Sequence, residues 1–203
     1  PTRTWTTSTP TRTTLTATRT TLTATRTTRT RSALGRCIEP VGEAEFLAEH
    51  WERRPLVVAR DEPGRYDDLL SEAEVERLVT SGGLRFPGFR LVKAGEQLAV
   101  RDYTTDIPWR PTSFTGTADV DGVLTEWERG ATIVLQGLHL HRPQLGAFCR
   151  SLERTLGHPA QVNAYYTPRA AQGLPVHHDT HDVFVLQVSG EKRWLVYEPA
   201  LEL

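Results

Sequence analysis

From residue 161 onward the sequence holds three stretches, QVNAYYT (161–167), VHHDTHDVFVLQV (176–188) and KRWLVYEP (192–199), in which β-branched and aromatic residues recur between turns bearing Pro or Gly. Such runs predict strands, in which residues i and i+2 share a face. The middle stretch is the most demanding of the three. Its odd positions collect His177, Asp179, His181, Val183, Val185 and Gln187 on one face, while His178 projects the other way. That face has a polar end suited to a rim and an apolar end suited to an interior, as expected of a metal held in a partly dry pocket at the mouth of a β-barrel. One imidazole and one carboxylate at this spacing supply two adjacent ligands of a 2-His-1-carboxylate triad, which leaves three positions open on Fe(II).

Upstream, the periodicity is mostly helical. Residues 42–51 put Phe46, Leu47, His50 and Trp51 on one stripe that ends before Pro55, and PLVVAR (55–60) reads as a buried strand. Ser71-Glu72-Ala73-Glu74 opens a second helix, with Ser71 as cap, Glu74 completing a capping box, Val75, Leu78 and Val79 facing inward, and Gly82-Gly83 as the stop. Residues 89–93 alternate as a strand. The Thr-, Pro-, Asp- and Gly-rich stretch 94–121 reads mainly as loop, ATIVLQ (131–136) as a strand, and 143–156 as a helix with Leu145, Phe148, Cys149, Leu152 and Leu156 at core spacing. Helices first and strands later define an α+β protein that ends in an antiparallel sheet.

At 203 residues the chain is long enough for one domain with appendages. Its 24 basic and 25 acidic side chains nearly cancel, but the first 38 residues hold seven arginines and no acid, which leaves 17 against 25 for the rest. In that basic segment TRTTLTA recurs with a period of seven. Threonine fills most of each heptad, so no coiled-coil seam exists, and residues 1–33 read as a disordered Thr/Arg tail or, alternatively, as an arm making weak RNA contact. No window reaches the ~18 apolar residues of a spanning helix, which points to a protein off the membrane and in the cytoplasm. Cys37 and Cys149 are too few and too far apart for a disulfide framework.

The run from Gln161 to Pro199 resembles the JmjC-type cupin oxygenases of the ribosomal-protein hydroxylase family. The motifs that carry the resemblance are Asn163 and Tyr165 in an N-x-Y strand, Thr167-Pro168 and Gln172-Gly173 in the turn, His177 and Asp179 in H-x-D, Asp182 to Gln187 in D-V-F-x-x-Q, and Gly190, Lys192 and Trp194 in a G-x-K-x-W hairpin. WERRPLVV, GATIVLQGLHLHRP and LERTLGHPAQVNAY look like the family too, so the likeness spans most of residues 40–199. The resemblance implies an N-terminal α+β segment (34–120) leading into the first half of a double-stranded β-helix, or jelly-roll, in a partial JmjC/cupin domain (121–203). It implies Fe(II) on His177 and Asp179, with 2-oxoglutarate as cosubstrate held by Lys192 and with Asn163 and Tyr165 lining the same pocket. A lysine just past a hairpin turn is well placed to offer a compact charge to a carboxylate, and Lys192 is one of only two lysines against 22 arginines.

Each of these residues also has a structural reading. His177 and Asp179 make a His–carboxylate pair without metal, Lys192 a solvated hairpin residue, Asn163 a turn partner and Tyr165 a packing residue. His139 and His141 repeat the i, i+2 spacing, but in the family that region is scaffold. The family's second metal-binding histidine lies several strands beyond H-x-D, and no histidine follows His181 here. His181 itself is about 13 Å along a strand from His177, too far to share a metal. With its start at Pro1 and no methionine, the sequence reads as a C-terminally truncated fragment of an oxygenase. The implied activity is hydroxylation by O2 of an Arg or His residue in a ribosomal protein, by a full-length protein that dimerises; the alternative is a non-catalytic cupin module that binds metal or ligand, or an inactive fragment.

Overall fold

A computed structural model describes residues 32–81 and 83–197. The Thr/Arg repeat, Gly82 as a helix stop and the last residues of KRWLVYEP lie outside the described residues. The first element, α1 (Ala33–Ile38), starts where Ser32 accepts the Gly35 N–H at 2.9 Å, satisfying one of the free donors of the first turn. It buries Leu34 and Ile38 and is followed by α2 (Glu43–Glu49), whose Phe46 is buried while Leu47 stays exposed. In α3 (Glu72–Ser81) Ser71 accepts the Glu74 N–H at 3.2 Å, as expected of the cap. The reciprocal half of the capping box is replaced: the Glu74 carboxylate pairs instead with Arg142 and with Arg77, so it ties α3 to the entrance of a later helix.

Four strands form one antiparallel sheet in the order β2–β1–β5–β6. β1 (Phe89–Lys93) turns into β2 (Glu96–Gln97) through Ala94 and Gly95, both at positive φ, as a two-residue type I′ hairpin requires. β5 (Thr132–Leu135) lies between β1 and β6 (Ala164–Tyr166), with Leu91 opposite Ile133 and Ile133 opposite Tyr166. Phe89, Leu91, Ile133 and Leu135 point at the helices and join one core with Leu34, Ile38, Phe46, Val75 and Val79. Behind that face stand α4 (Val120–Glu128), which buries Val123, and α5 (Pro143–Leu156), which buries Leu145, Phe148, Cys149 and Leu152. Pro143 opens α5, and Gly157 closes it in the left-handed region, its N–H donating to the Glu153 carbonyl. This is the α+β architecture expected from the sequence.

Two expectations are corrected. PLVVAR is not a strand: Leu56, Val58 and Arg60 are half-buried, and Arg60 donates to the carbonyls of Cys37 and Glu39, so a guanidinium takes the place of a ladder. A short apolar run carries no periodicity that tells a strand from a packed extended segment. The stretch 94–121 is not mainly loop. It forms a separate hairpin of β3 (Thr104–Trp109) and β4 (Thr112–Ala118), because its threonines, Ile107, Trp109 and Phe114 are strand formers as much as turn formers. A bulge between Thr105 and Ile107 lets the Asp106 carboxylate accept the Gly116 N–H at 2.9 Å. The 120/121 boundary drawn on the sequence falls in the first turn of α4, and one sheet draws strands from both sides of it.

Two measurements check this core. Leu91→Ala is expected to cost about 2–5 kcal/mol in urea unfolding, whereas exposed Val57→Ala changes stability by at most about 0.5 kcal/mol. Burial pushes the Cys37 thiol up to about 11 and raises that of buried Cys149, so both are expected to resist a thiol reagent at pH 8 until the protein is unfolded.

Candidate metal and cosubstrate site

Alternation along β5 sends Thr132 and Val134 to the sheet face opposite the helices. In register with Val134 is Tyr165, which also leaves the helix side and is 47% exposed, while Ala164 and Tyr166 pack against the core. Over Tyr165 lies Lys192, its Nζ 5.7 Å from that ring centroid and 4.5 Å from the Trp194 ring. Lys192 is itself exposed, but partial loss of solvent beside the two rings lowers its pKa below the usual lysine value. Tyr165, Lys192 and Trp194 are therefore brought together as an aromatic-flanked cation. Asn163 takes the role of turn partner: its amide oxygen accepts the Gly137 N–H at 3.0 Å and fastens the turn after β5.

His177 and Asp179 are also brought together. His177 Nε2 lies 3.9 Å from Asp179 Oδ2, with side chains 45% and 43% exposed. On its other side the ring contacts the Pro175 carbonyl through Nδ1 at 2.8 Å. A carbonyl only accepts, so Nδ1 is the donor in that contact, and Nε2 is the nitrogen turned to the carboxylate. His178 and His181 are exposed, and among the described residues no three His, Cys, Asp or Glu side chains converge as a metal cluster. His139 serves as scaffold, its Nδ1 accepting the Val162 N–H at 3.2 Å.

The alternation expected over 177–188 is present only over 183–188, since residues 177–182 are exposed at both parities, and its orientation and its ladder differ from expectation. Phe184, Leu186 and Val188 pack against the helix-side core, with the Phe184 ring 6.0 Å from Phe46 and 6.2 Å from Trp51. The odd face, which carries His177, Asp179, Val183 and Val185, is turned outward and open rather than enclosed; Val185 is 51% exposed. From Phe184 on, the even side chains meet the apolar core beside α2, whereas no described element covers the odd ones. No strand forms over 167–197, because no described strand runs alongside to satisfy its N–H and C=O groups.

Sequence reasoning misses the contacts that seat the loop before His177. Thr132, buried to 2% exposure, bonds through its hydroxyl to that of Thr167 at 2.9 Å, and Gly173 lies so close over it that a Cβ there would stand 2.7 Å from Thr132 Oγ1. The Q-G turn is visible in the sequence, but its partner 41 residues upstream is not.

A JmjC domain pattern matches residues 139–203, which include β6, His177, Asp179 and Lys192. Ribosomal oxygenase 1 of Gallus gallus is 32% identical over 163 residues, covering 80% of this chain and 26% of the relative. Ribosomal oxygenase 2 of Mus musculus is 30% identical over 82% of this chain and 34% of its own length. The bifunctional lysine-specific demethylase and histidyl-hydroxylase NO66 of Drosophila pseudoobscura pseudoobscura is 28% identical over 85% of this chain and 17% of its own. The chain belongs to the JmjC cupin family of ribosomal-oxygenase type. It spans about a quarter of the length of the first of these relatives.

The parity of residues 183–188 has a direct check. Phe184→Ala is expected to destabilise the protein by about 1–3 kcal/mol, and Val185→Ala by no more than about 0.5 kcal/mol, read from urea midpoints at unchanged slope.

Proposed function

We propose that this protein carries the Fe(II)-binding and 2-oxoglutarate-binding residues of a protein hydroxylase, an enzyme that inserts oxygen into a carbon–hydrogen bond of an amino-acid residue to leave an alcohol. The observation that carries the reading is the His177–Asp179 pair, in which one imidazole nitrogen is engaged by a carbonyl and the other faces a carboxylate at 3.9 Å. A neutral imidazole and a carboxylate suit Fe(II) as donors and fit as two of its ligands. With iron bound, O2 oxidises 2-oxoglutarate to succinate and CO2 while its second oxygen atom enters the substrate. Lys192 supplies the cation for the remote carboxylate of the cosubstrate, with the Tyr165 and Trp194 rings flanking its ammonium. Asn163 holds the turn that ends β5 and so contributes through the backbone.

The substrate in this reading is an Arg or His residue of a ribosomal protein; the names ribosomal oxygenase and histidyl-hydroxylase support the ribosomal protein and the His residue, and the exposed odd face leaves room for a peptide beside His177. A double-stranded β-helix with His177 at its rim, a cytoplasmic location and a homodimeric whole protein belong to the same reading, as does weak RNA contact through residues 1–33. Among the described residues no helix is long and apolar enough to cross a membrane. The second reading, a cupin module that binds without turnover, draws on the exposure of both proposed ligands.

Anaerobic addition of Fe(II) to the protein with 2-oxoglutarate is expected to produce a metal-to-ligand absorption band. His177→Ala should abolish it, and Lys192→Ala should raise the 2-oxoglutarate concentration required by about tenfold or more. A protein that shows the band but never couples it to peptide hydroxylation supports the second reading, and a band indifferent to His177 sinks both.

A further inference from the structure

The segment from Thr167 to Pro175 has no strand or helix of its own, yet it touches the sheet at four places. Thr167 shares a hydrogen bond with buried Thr132 on β5. Gly173 lies over the same hydroxyl with no room for a Cβ. Gly130, just before β5, faces Ala171, with its own Cβ position 3.8 Å from that of the alanine. At the far end Pro175 seats on Gly95 in the β1–β2 turn so closely that a Cβ on Gly95 would come within 2.5 Å of Pro175 Cδ and 2.8 Å of Cγ. Both turns are bent into the left-handed region at non-glycine positions, Ala94 at φ 50° and Ala170 at φ 61°, a conformation alanine keeps only where its surroundings impose it. What the four contacts deliver is the Pro175 carbonyl, which receives the Nδ1–H of His177 at 2.8 Å.

We propose that Gly95, Thr132 and Thr167 are positioning residues for His177: they clip the 167–175 loop to the sheet so that the Pro175 carbonyl holds the imidazole with Nε2 free to bind a divalent metal. The inference rests on the reading of His177 as a metal ligand and adds to it the device that selects the ligating nitrogen. A free imidazole favours the hydrogen on Nε2, the nitrogen a metal needs vacant here, so a carbonyl fixed at Nδ1 removes a competing tautomer before metal arrives. Thr132 suits the task because its hydroxyl has lost water and has Thr167 as its partner. Gly95 suits it because a side chain there meets a proline ring, which has no flexible end to move aside.

The experiment uses the full-length protein with Co(II) as the probe. Long-range 1H–15N correlation spectra of the metal-free protein at pH 8 report which nitrogen of His177 carries the hydrogen, and Co(II) titration reports affinity. The wild-type protein is expected to show the Nδ1–H form. Thr132→Val, which keeps the shape and removes the hydroxyl, and Gly95→Ala, which pushes Pro175 away, are each expected to populate the Nε2–H form and to weaken Co(II) binding about tenfold or more, at unchanged far-ultraviolet dichroism. Thr132→Ser should restore both signals, an outcome that separates positioning from a mere loss of packing, and the two variants disturb different contacts, so the failure of one to fold leaves the other decisive. A wild-type His177 in the Nε2–H form, or a tautomer and Co(II) affinity indifferent to both substitutions, overturns the proposal while leaving His177 as a ligand. A tautomer that responds in a protein that never binds Co(II) supports the clip and overturns the metal reading instead.

Discussion

A buried strand must find a partner for every N–H and C=O on both of its edges, and β5 meets that demand twice, against β1 on one side and β6 on the other. All four of its residues are buried, so its two faces have different owners: Ile133 and Leu135 belong to the helices, while Val134 and Thr132 lie on the other face, Thr132 against the loop that leads to His177. A slip of one residue would exchange these sets, placing a hydroxyl among Leu34, Ile38 and Phe46 and an isoleucine where Thr167 needs a partner. The cost of either error fixes the register. The core and the candidate site are thus two consequences of one strand, and neither can be altered at β5 without reaching the other.

How much of this the sequence shows depends on the range over which each signal acts. The helix at 72–81, the strands at 89–93 and 132–135 and the helix at 143–156 are legible because caps and apolar spacing are local, and Ser71, Pro143 and Gly157 stand where the helices begin and end. The hairpin at 104–118 is hidden because threonine serves turns and strands alike, so composition points to loop. For residues 177–188 the period of two is visible and the direction is not: nothing within the segment says that Phe184 finds Phe46 and Trp51, about 135 residues upstream, and so claims the inward side for the even positions. His177 and Asp179 are legible from spacing, and Lys192 from resemblance. Their surroundings, Thr132 under Gly173 and Gly95 under Pro175, join segments 41 and 80 residues apart.

Charge and solvent divide the site into two regimes. The His177–Asp179 pair is open enough that water competes for it, so its attraction alone contributes little to holding the fold. Lys192 is exposed as well, but it stands over the Trp194 and Tyr165 rings, and the water they displace is enough to lower its pKa below the usual lysine value. Neither the pair nor the lysine is enclosed, so both exchange with solvent.

The β3–β4 hairpin stands apart from this arrangement. It is tied to the body through residues 84–86, where Ala118 N–H donates to the Leu84 carbonyl and Phe86 N–H to the Gly116 carbonyl, but its tip carries Trp109 and Phe114 out into solvent. Residues with no claim from β5 are free to drift, lengthen or be replaced over evolutionary time. A change confined to the tip of this arm therefore leaves the pairing of β5 intact, so recognition could be altered there while the sheet behind it stays as it is.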